Sequence, residues 1–280
     1  MSDMFGRFEL HCHTHYSKGR KIPCEALHSP AEMVKEAKRK GLSGIAITDH
    51  INNKSWKEAE ETAQALGMIF IPGIEIESKQ GHILGLGLSD MVASGLSVDE
   101  TMDKIHEQGG VSVAAHPFDL RGLGLQHDMN KADIAEAFNA MSIDRISNVF
   151  TARRARALEM PIMAGSDAHT KQMLGTATTS IDAYDADSII RELKKGNTQL
   201  NKNYIPMNLL IDWAKQRMTI SYEDILLYIK KNYPAPKAWL SEALLHKFLF
   251  SRHTKWYNAL ARFGMSCSVL YGGIKAITYL

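Results

Sequence analysis

The sequence predicts an α/β barrel followed by a small helical appendage, and three observations lead there. The chain has 280 residues, more than an average domain but suited to one barrel of this class, commonly about 250 residues, with an addition. Residues 1–200 alternate short apolar runs with amphipathic, charge-rich stretches, the rhythm of βα units around a mostly parallel sheet. After Gly196 that rhythm stops. Residues 1–200 hold 22 Lys/Arg against 27 Asp/Glu and residues 201–280 hold 11 against 4, so a net of −5 gives way to +7. Thirteen of the 22 aromatic residues, including Trp213, Trp239 and Trp256, fall in that last part. The division expected is therefore 1–200 and 201–280.

The strands expected, in order, are Arg7 to His13, Gly44 to His50, Met68 to Glu77, His82 to Leu88, Gly110 to His116, Ile134 to Asn139, Pro161 to Asp167 and Thr176 to Asp182. Each is a short apolar or alternating run bounded by polar residues or glycine. Pro30 to Lys40 reads as a helix because Ser29 can cap it, Pro30 suits its first position and Gly41 can stop it. Trp56 to Leu66, Ser97 to Gln108, Asp144 to Glu159 and Ala186 to Lys195 repeat the theme. Beyond Gly196, helical stretches such as Ala238 to Phe250 and Thr254 to Phe263 are broken by Pro206, Pro234 and Pro236.

Composition excludes several classes. With 45% apolar and 23% charged residues the chain is neither disordered nor fibrous. Three cysteines (Cys12, Cys24, Cys267) without CxxC spacing argue against a disulfide framework or a thiolate zinc site and for a reducing compartment. The start, MSDMFGRFEL, lacks a basic and apolar leader, and no run reaches the roughly 18 apolar residues of a membrane span. A cytoplasmic protein without stable membrane insertion is expected.

Histidines and carboxylates gather at the ends of the expected strands: His11 and His13, His50 after Asp49, Glu75, His116, and Asp167 with His169. The C-terminal rim of a βα barrel collects catalytic groups, so these distant residues should converge. Only His82, at the start of its strand, breaks the pattern. Residues i and i+2 of a strand share a face about 7 Å apart, so His11 and His13 can reach one ion while Cys12 faces away; Asp167 and His169 repeat the spacing. That many imidazoles with two carboxylates exceed one tetrahedral zinc and invite two or three ions sharing a carboxylate, for which Glu75 is the best bridge. Nitrogen and oxygen donors suit Mn, Fe or Zn.

LHCHTHYS at 10–17, ITDH at 47–50, PGIEIE at 72–77, HILGLG at 82–87, AAHP at 114–117 and AGSDAH at 164–169 resemble, in order and spacing, the motifs of the polymerase and histidinol phosphatase (PHP) family. LGTATTSIDAYDADSIIRELKKGN at 174–197 looks like the extension of small stand-alone members. The resemblance implies a distorted, TIM-like (β/α)7 barrel with two or three divalent ions and hydrolysis of phosphoesters. It implies that His11, His13, Glu75 and Asp167 hold a first metal, Glu75, His82 and His116 a second, and His50 and His169 a third. A further ligand is expected five or six positions after His13, where this chain has Lys18 or Gly19. Either His15 substitutes, or two metals bind firmly and Lys18 contributes a fixed positive charge.

In such a site a water bridging two metals about 3.5–4 Å apart attacks phosphorus in line with the leaving oxygen. Asp167 can accept the nucleophile's proton, and His169 or His50 can stabilise or protonate the leaving oxygen. Arg121, four residues past the His116–Pro117 turn, is the expected phosphate anchor, with Lys18 and Arg20 behind it. Asp49 is expected to orient a ligand or cap a helix, Glu77 to cap its strand or support a histidine, and Cys12 to be a small buried hydrophobe. His28, His106 and His127 read as solvated or capping residues, and Arg153, Arg154 and Arg156 as the solvated face of one helix. The expected function is a metal-dependent phosphoesterase acting on a small phosphorylated metabolite, nucleotide or oligonucleotide. The rivals are a non-catalytic PHP-like scaffold or nucleic-acid-binding module and, second, a metal-dependent hydrolase of non-phosphate substrates. For residues 201–280 three readings stand: a helical cap on the barrel, a basic platform that steers nucleic acid, and a peripheral membrane contact through the last 20 residues.

Overall fold

Nine strands form one sheet that curls nearly shut, in the order β7-β6-β5-β4-β3-β2-β1-β8-β9. The computed structural model of the chain describes residues 5–19, 22–250 and scattered positions between 256 and 271. The strands are β1 (Gly6–Glu9), β2 (Gly44–Ile47), β3 (Ile69–Glu77), β4 (His82–Leu86), β5 (Val111–Ala114), β6 (Ile134–Asn139), β7 (Ile162–Gly165), β8 (Thr178–Ile181) and β9 (Gln199–Asn201). The barrel is therefore nine-stranded and not a strict (β/α)7, and it is only half parallel. Pairs β1–β2, β2–β3, β5–β6 and β6–β7 are parallel, whereas β3–β4, β4–β5, β1–β8 and β8–β9 are antiparallel. For the β3–β4 pair the reason is connection length. Only residues 78–81 join β3 to β4, and their turn is closed by Ser78 Oγ accepting the Gly81 N–H at 3.1 Å; a link that short permits a hairpin but no crossover.

Near the rim β1 loses regular pairing, and its continuation is shared between two neighbours. Asp167 N–H donates to the His11 carbonyl at 2.8 Å, and His13 N–H to the Ala168 carbonyl at 2.9 Å, while Thr48 N–H donates to the Cys12 carbonyl at 2.9 Å. These bonds draw the ends of β7, β1 and β2 together, which closes the barrel where the histidines lie.

Five helices cover the sheet: α1 (Pro30–Arg39), α2 (Trp56–Ala65), α3 (Val98–His106), α4 (Ile146–Ala157) and α5 (Ala186–Lys195). Ser29 with Glu32, Ser97 with Glu100, and Asp185 with Ser188 form reciprocal caps at the starts of α1, α3 and α5, satisfying N–H groups that a helix start leaves without partners. One apolar cluster takes residues from every strand from β1 to β8, including Phe8, Ala46, Ile71, Leu84, Val113 and Met163, and so occupies the barrel interior. Ile189, Ile190 and Leu193 of α5 belong to the same cluster, and Lys194 donates to the Gly110 carbonyl at the start of β5. The helix thus plugs the end opposite the rim. Beyond Asn201 the ordered elements are α6 (Met207–Ile220), α7 (Tyr222–Asn232) and α8 (Ala235–Phe250). Half of the helix expected over 254–263, and most of the last 20 residues, lie outside the described residues. No helix among the described residues is long and apolar enough to cross a membrane.

Candidate metal centre

The rim gathers the donor atoms of eight residues from six strand ends. His13 Nε2 lies 3.3 Å from Glu75 Oε2 and 3.2 Å from Asp167 Oδ1. His11 Nε2 lies 3.4 Å and 3.6 Å from the same two oxygens, and 3.3 Å from His13 Nε2. The other Glu75 oxygen, Oε1, meets His82 Nδ1 at 2.7 Å and His116 Nε2 at 3.1 Å. His50 Nε2 is 3.4 Å from Glu75 Oε2. His169 Nδ1 is 3.6 Å from Asp167 Oδ1 and hydrogen-bonds the Asp167 carbonyl at 2.9 Å. His82, which the sequence left out of position, joins the group because β4 runs antiparallel and starts at the rim.

Hydrogen bonds behind the rings decide which nitrogen faces inward. His13 Nδ1 is 3.0 Å from Ser17 Oγ, and that hydroxyl donates to Asp49 Oδ1 at 2.9 Å, so it accepts from His13 and leaves the Nε2 lone pair inward. Asp49 also accepts from the Thr14 N–H and hydroxyl at 2.6 and 2.7 Å. His11 Nδ1 lies 2.9 Å from Glu136 Oε1. The second Glu136 oxygen accepts from the His116 N–H at 2.9 Å and from Asn139 Nδ2 at 3.0 Å. Such carboxylate–imidazole pairs fix the tautomer and raise the basicity of ligating histidines. Glu136 can reach His11 only because residue 165 is glycine: a Cβ there would stand 2.6 Å from both Glu136 Oε1 and the His11 Cβ.

With Nδ1 engaged on both rings, two Nε2 lone pairs and two carboxylate oxygens face one point, an arrangement that repels unless protons or a cation lie between them. The electrostatics agree. Burial disfavours the charged form of His13, yet the carboxylates of Asp167 and Glu75 push its pKa up to about 10. Burial alone would raise Glu75, but the imidazoles of His50 and His82 and the hydrogen bonds of His11 and His116 hold it well below the usual carboxylate range. Burial likewise opposes ionisation of Asp167, and His11, His13 and His169 overcome it. A cation bonded at about 2.1 Å in tetrahedral geometry sets its donors roughly 3.4 Å apart, close to the spacing found, so the residues fit divalent metal ions. One unpaired buried atom points the same way: Glu25 Oε2, which faces His50 Nε2, has no hydrogen-bond partner.

Glu25 went unread in the sequence. Its carboxylate lies 3.6 Å from His50 Nε2 and 4.0 Å from His169 Nε2, at the third position, for which the resemblance implied a ligand near Lys18. His15 does not take that place; its ring packs on Tyr16 at 4.4 Å. Lys18 and Arg121 line the cleft above the cluster, in company with Glu25 and Glu77. Arg121 Nη2 also pairs with Asp119 at 2.6 Å, and Arg20 lies outside the described residues. His28 and His106 stand elsewhere, His106 on Asp133 at 2.7 Å. Cys12 is fully buried against the Ala46 carbonyl.

Helix α6 reaches into the same region. Trp213 Nε1 donates to the Glu25 carbonyl at 2.7 Å and its ring packs on His169 at 4.9 Å. Arg217 Nε donates to the Cys24 carbonyl at 3.0 Å and stacks on Trp213 at 4.7 Å. The segment that carries Glu25 is therefore held by the appendage. Of the residues missed, Glu136 left a trace, as a lone carboxylate inside an apolar strand; Glu25 and Trp213 left none, since only the folded chain brings them to the rim.

Comparison with known proteins follows the same lines. A family model described as PHP-associated matches residues 145–198. An uncharacterised protein of Methanocaldococcus jannaschii is 37% identical over 147 residues, 50% of this chain and 85% of that protein. A 5'-3' exoribonuclease of Haemophilus influenzae is 25% identical over 191 residues, 65% of this chain and 66% of that one. Among solved structures, a two-domain protein of Bacteroides vulgatus containing a predicted PHP-like metal-dependent phosphoesterase superposes with a TM-score of 0.58 at 18% identity, over 71% of this chain and 65% of its own. Taken with the ordered motifs along residues 10–169, these likenesses mean that the chain belongs to the PHP family.

Proposed function

We propose that the protein is a metal-dependent phosphoesterase. The observation that carries this reading is Glu75, whose two oxygens turn to two different donor sets, His11 and His13 on one side and His82 and His116 on the other. In this reading His11, His13, Glu75 and Asp167 hold one ion, Glu75, His82 and His116 a second, and His50, His169 and Glu25 a weaker third. Nitrogen and oxygen donors without thiolate favour Mn, Fe or Zn. When bound, such ions supply Lewis acidity that activates water near neutral pH and neutralises charge developing on a phosphoryl group.

The remaining roles belong to the chain itself. Arg121 offers a planar guanidinium to phosphate oxygens, with Lys18 adding positive charge beside it. Asp167 or His169 takes the proton of the nucleophile. His50 faces the leaving oxygen. The likeness to an exoribonuclease keeps oligonucleotide ester bonds among the substrates to assay, beside small phosphorylated metabolites and nucleotides, and the basic C-terminal part is the surface a nucleic acid would meet.

The test joins elemental analysis with turnover of a generic phosphoester in added Mn, Zn or Mg. His11→Ala and Glu75→Ala should each lose bound metal and at least about a hundredfold in turnover, on the scale of second-sphere losses or larger. Undiminished turnover in either variant would overturn the assignment.

A further inference from the structure

We infer that the protein binds phosphoesters whose leaving group is uncharged and apolar, an alkyl or aryl group, in a chamber that the appendage builds beside the metal centre. The inference rests on the phosphoesterase reading and adds the substrate class to it. Two cavities meet at the rim. The smaller, ≈ 190 Å³, lies over the donor cluster and carries Lys18, Glu25 and His82, the place for a phosphoryl group. The larger, ≈ 530 Å³, runs outward between the barrel and α6 and lies within the usual size of small-molecule sites. His116, Arg121 and Asp167 line both, so an ester bond crossing between the cavities would pass beside the metal ligands.

The two compartments differ in chemistry. Away from the rim the larger chamber is walled by Met141, Ile143, Leu210, Ile211, Trp213 and Phe248. Its charged groups are already engaged: Arg121 with Asp119 at 2.6 Å, and Asp144 with the Ser147 N–H at 2.7 Å. Asn139 is committed as well. Its amide nitrogen donates to Glu136 and Asp167, and its oxygen accepts from the Met141 N–H at 2.8 Å. A sugar or a nucleobase seated here would give up water for few partners, the Ser142 hydroxyl and His116 Nδ1 among them, and polar groups buried without hydrogen bonds are penalised. A hydrocarbon gains from the same walls. Among the described residues that line this chamber the only cationic side chain is Arg121, at the rim where the phosphoryl group would sit, so a polyanion would find no further cation along the walls.

The experiment measures binding and turnover with the Mn-loaded full chain. Calorimetry compares methyl-, butyl- and octylphosphonate, and kinetics compares methyl, octyl and naphthyl phosphate with glycerol phosphate and a nucleoside monophosphate. Affinity should rise about fourfold per methylene until the chamber fills, and the apolar esters should show the higher kcat/KM. Ile211→Asn should weaken octylphosphonate at least tenfold and leave methylphosphonate unchanged. Equal binding of methyl- and octylphosphonate, or better turnover of glycerol phosphate or the nucleotide than of the apolar esters, overturns the inference even if Ile211→Asn does not fold. Tight octylphosphonate binding without turnover of any ester would sink the phosphoesterase reading while the chamber's preference stands.

Discussion

The metal centre and the chamber beside it share a rim but are built by opposite means. In the centre most donors stand at strand ends and the two central histidines are fixed from behind, His11 by Glu136 and His13 by the Ser17–Asp49 pair. In the chamber the walls come from α6, α8 and the loop after β6, and the side chains facing inward away from the rim are mostly apolar. Hydrogen-bonded geometry tolerates little change, whereas apolar walls tolerate substitutions that keep volume. Under the two readings proposed above, the contrast puts the chemistry in the strands and the choice of substrate in the helices.

Changes in the centre should therefore alter metal binding and spare the preference for octylphosphonate over methylphosphonate. The largest effect is expected from Glu136→Ala, which strips partners from His11, His116 and Asn139 at once. Metal affinity, read by competition with a chelator, should fall about 10–100-fold; an unchanged affinity would break the contrast. A pH series sharpens it next. His13 holds a proton at neutral pH when metal is absent, its pKa being pushed up to about 10, and a metal must displace that proton. Affinity should accordingly weaken as pH falls, by about tenfold per unit for each proton released, and calorimetry in buffers of different ionisation enthalpy should register the release.

Gly165→Ala tests packing behind the centre. The new Cβ would press on Glu136 Oε1 and on His11, so a loss of about 1–3 kcal/mol in stability is expected, visible as a lower midpoint in chemical denaturation. No loss would mean that the glycine is not needed for the His11–Glu136 contact. The mildest outcome belongs to Glu25→Gln: elemental analysis at saturating metal should find the weaker third ion lost, with the two ions held by Glu75 retained. A full complement would leave Glu25 a bystander.

Much of the barrel is legible in the chain because strands and helices carry their own periodicity and caps. Ser29 and Pro30 mark a helix start that the structure shows fully capped. The direction of β4 is also readable, since four residues between two apolar runs admit only a hairpin, and that direction explains His82. Residues such as His11 and His13 are brought together by strand spacing, a local property. Glu25 is different: it sits in an irregular loop after Ser17 and reaches the rim through contacts with Trp213 and Arg217, nearly 200 positions later in the sequence. No local pattern encodes such a meeting. The sharing of β1's end between β2 and β7 is likewise a property of closure and is invisible in any one strand.

One indole ties the two parts of the molecule into a single thermodynamic unit. Trp213 donates to the backbone of Glu25 and lies on the ring of His169, so seating of α6 and occupancy of the position between those two residues act on each other. Under the reading proposed above, that influence must be reciprocal: an ion that steadies the loop also steadies the helix, by the same factor. Proteolysis of the appendage should then slow when metal is supplied, which makes the helices a reporter of an ion they never touch.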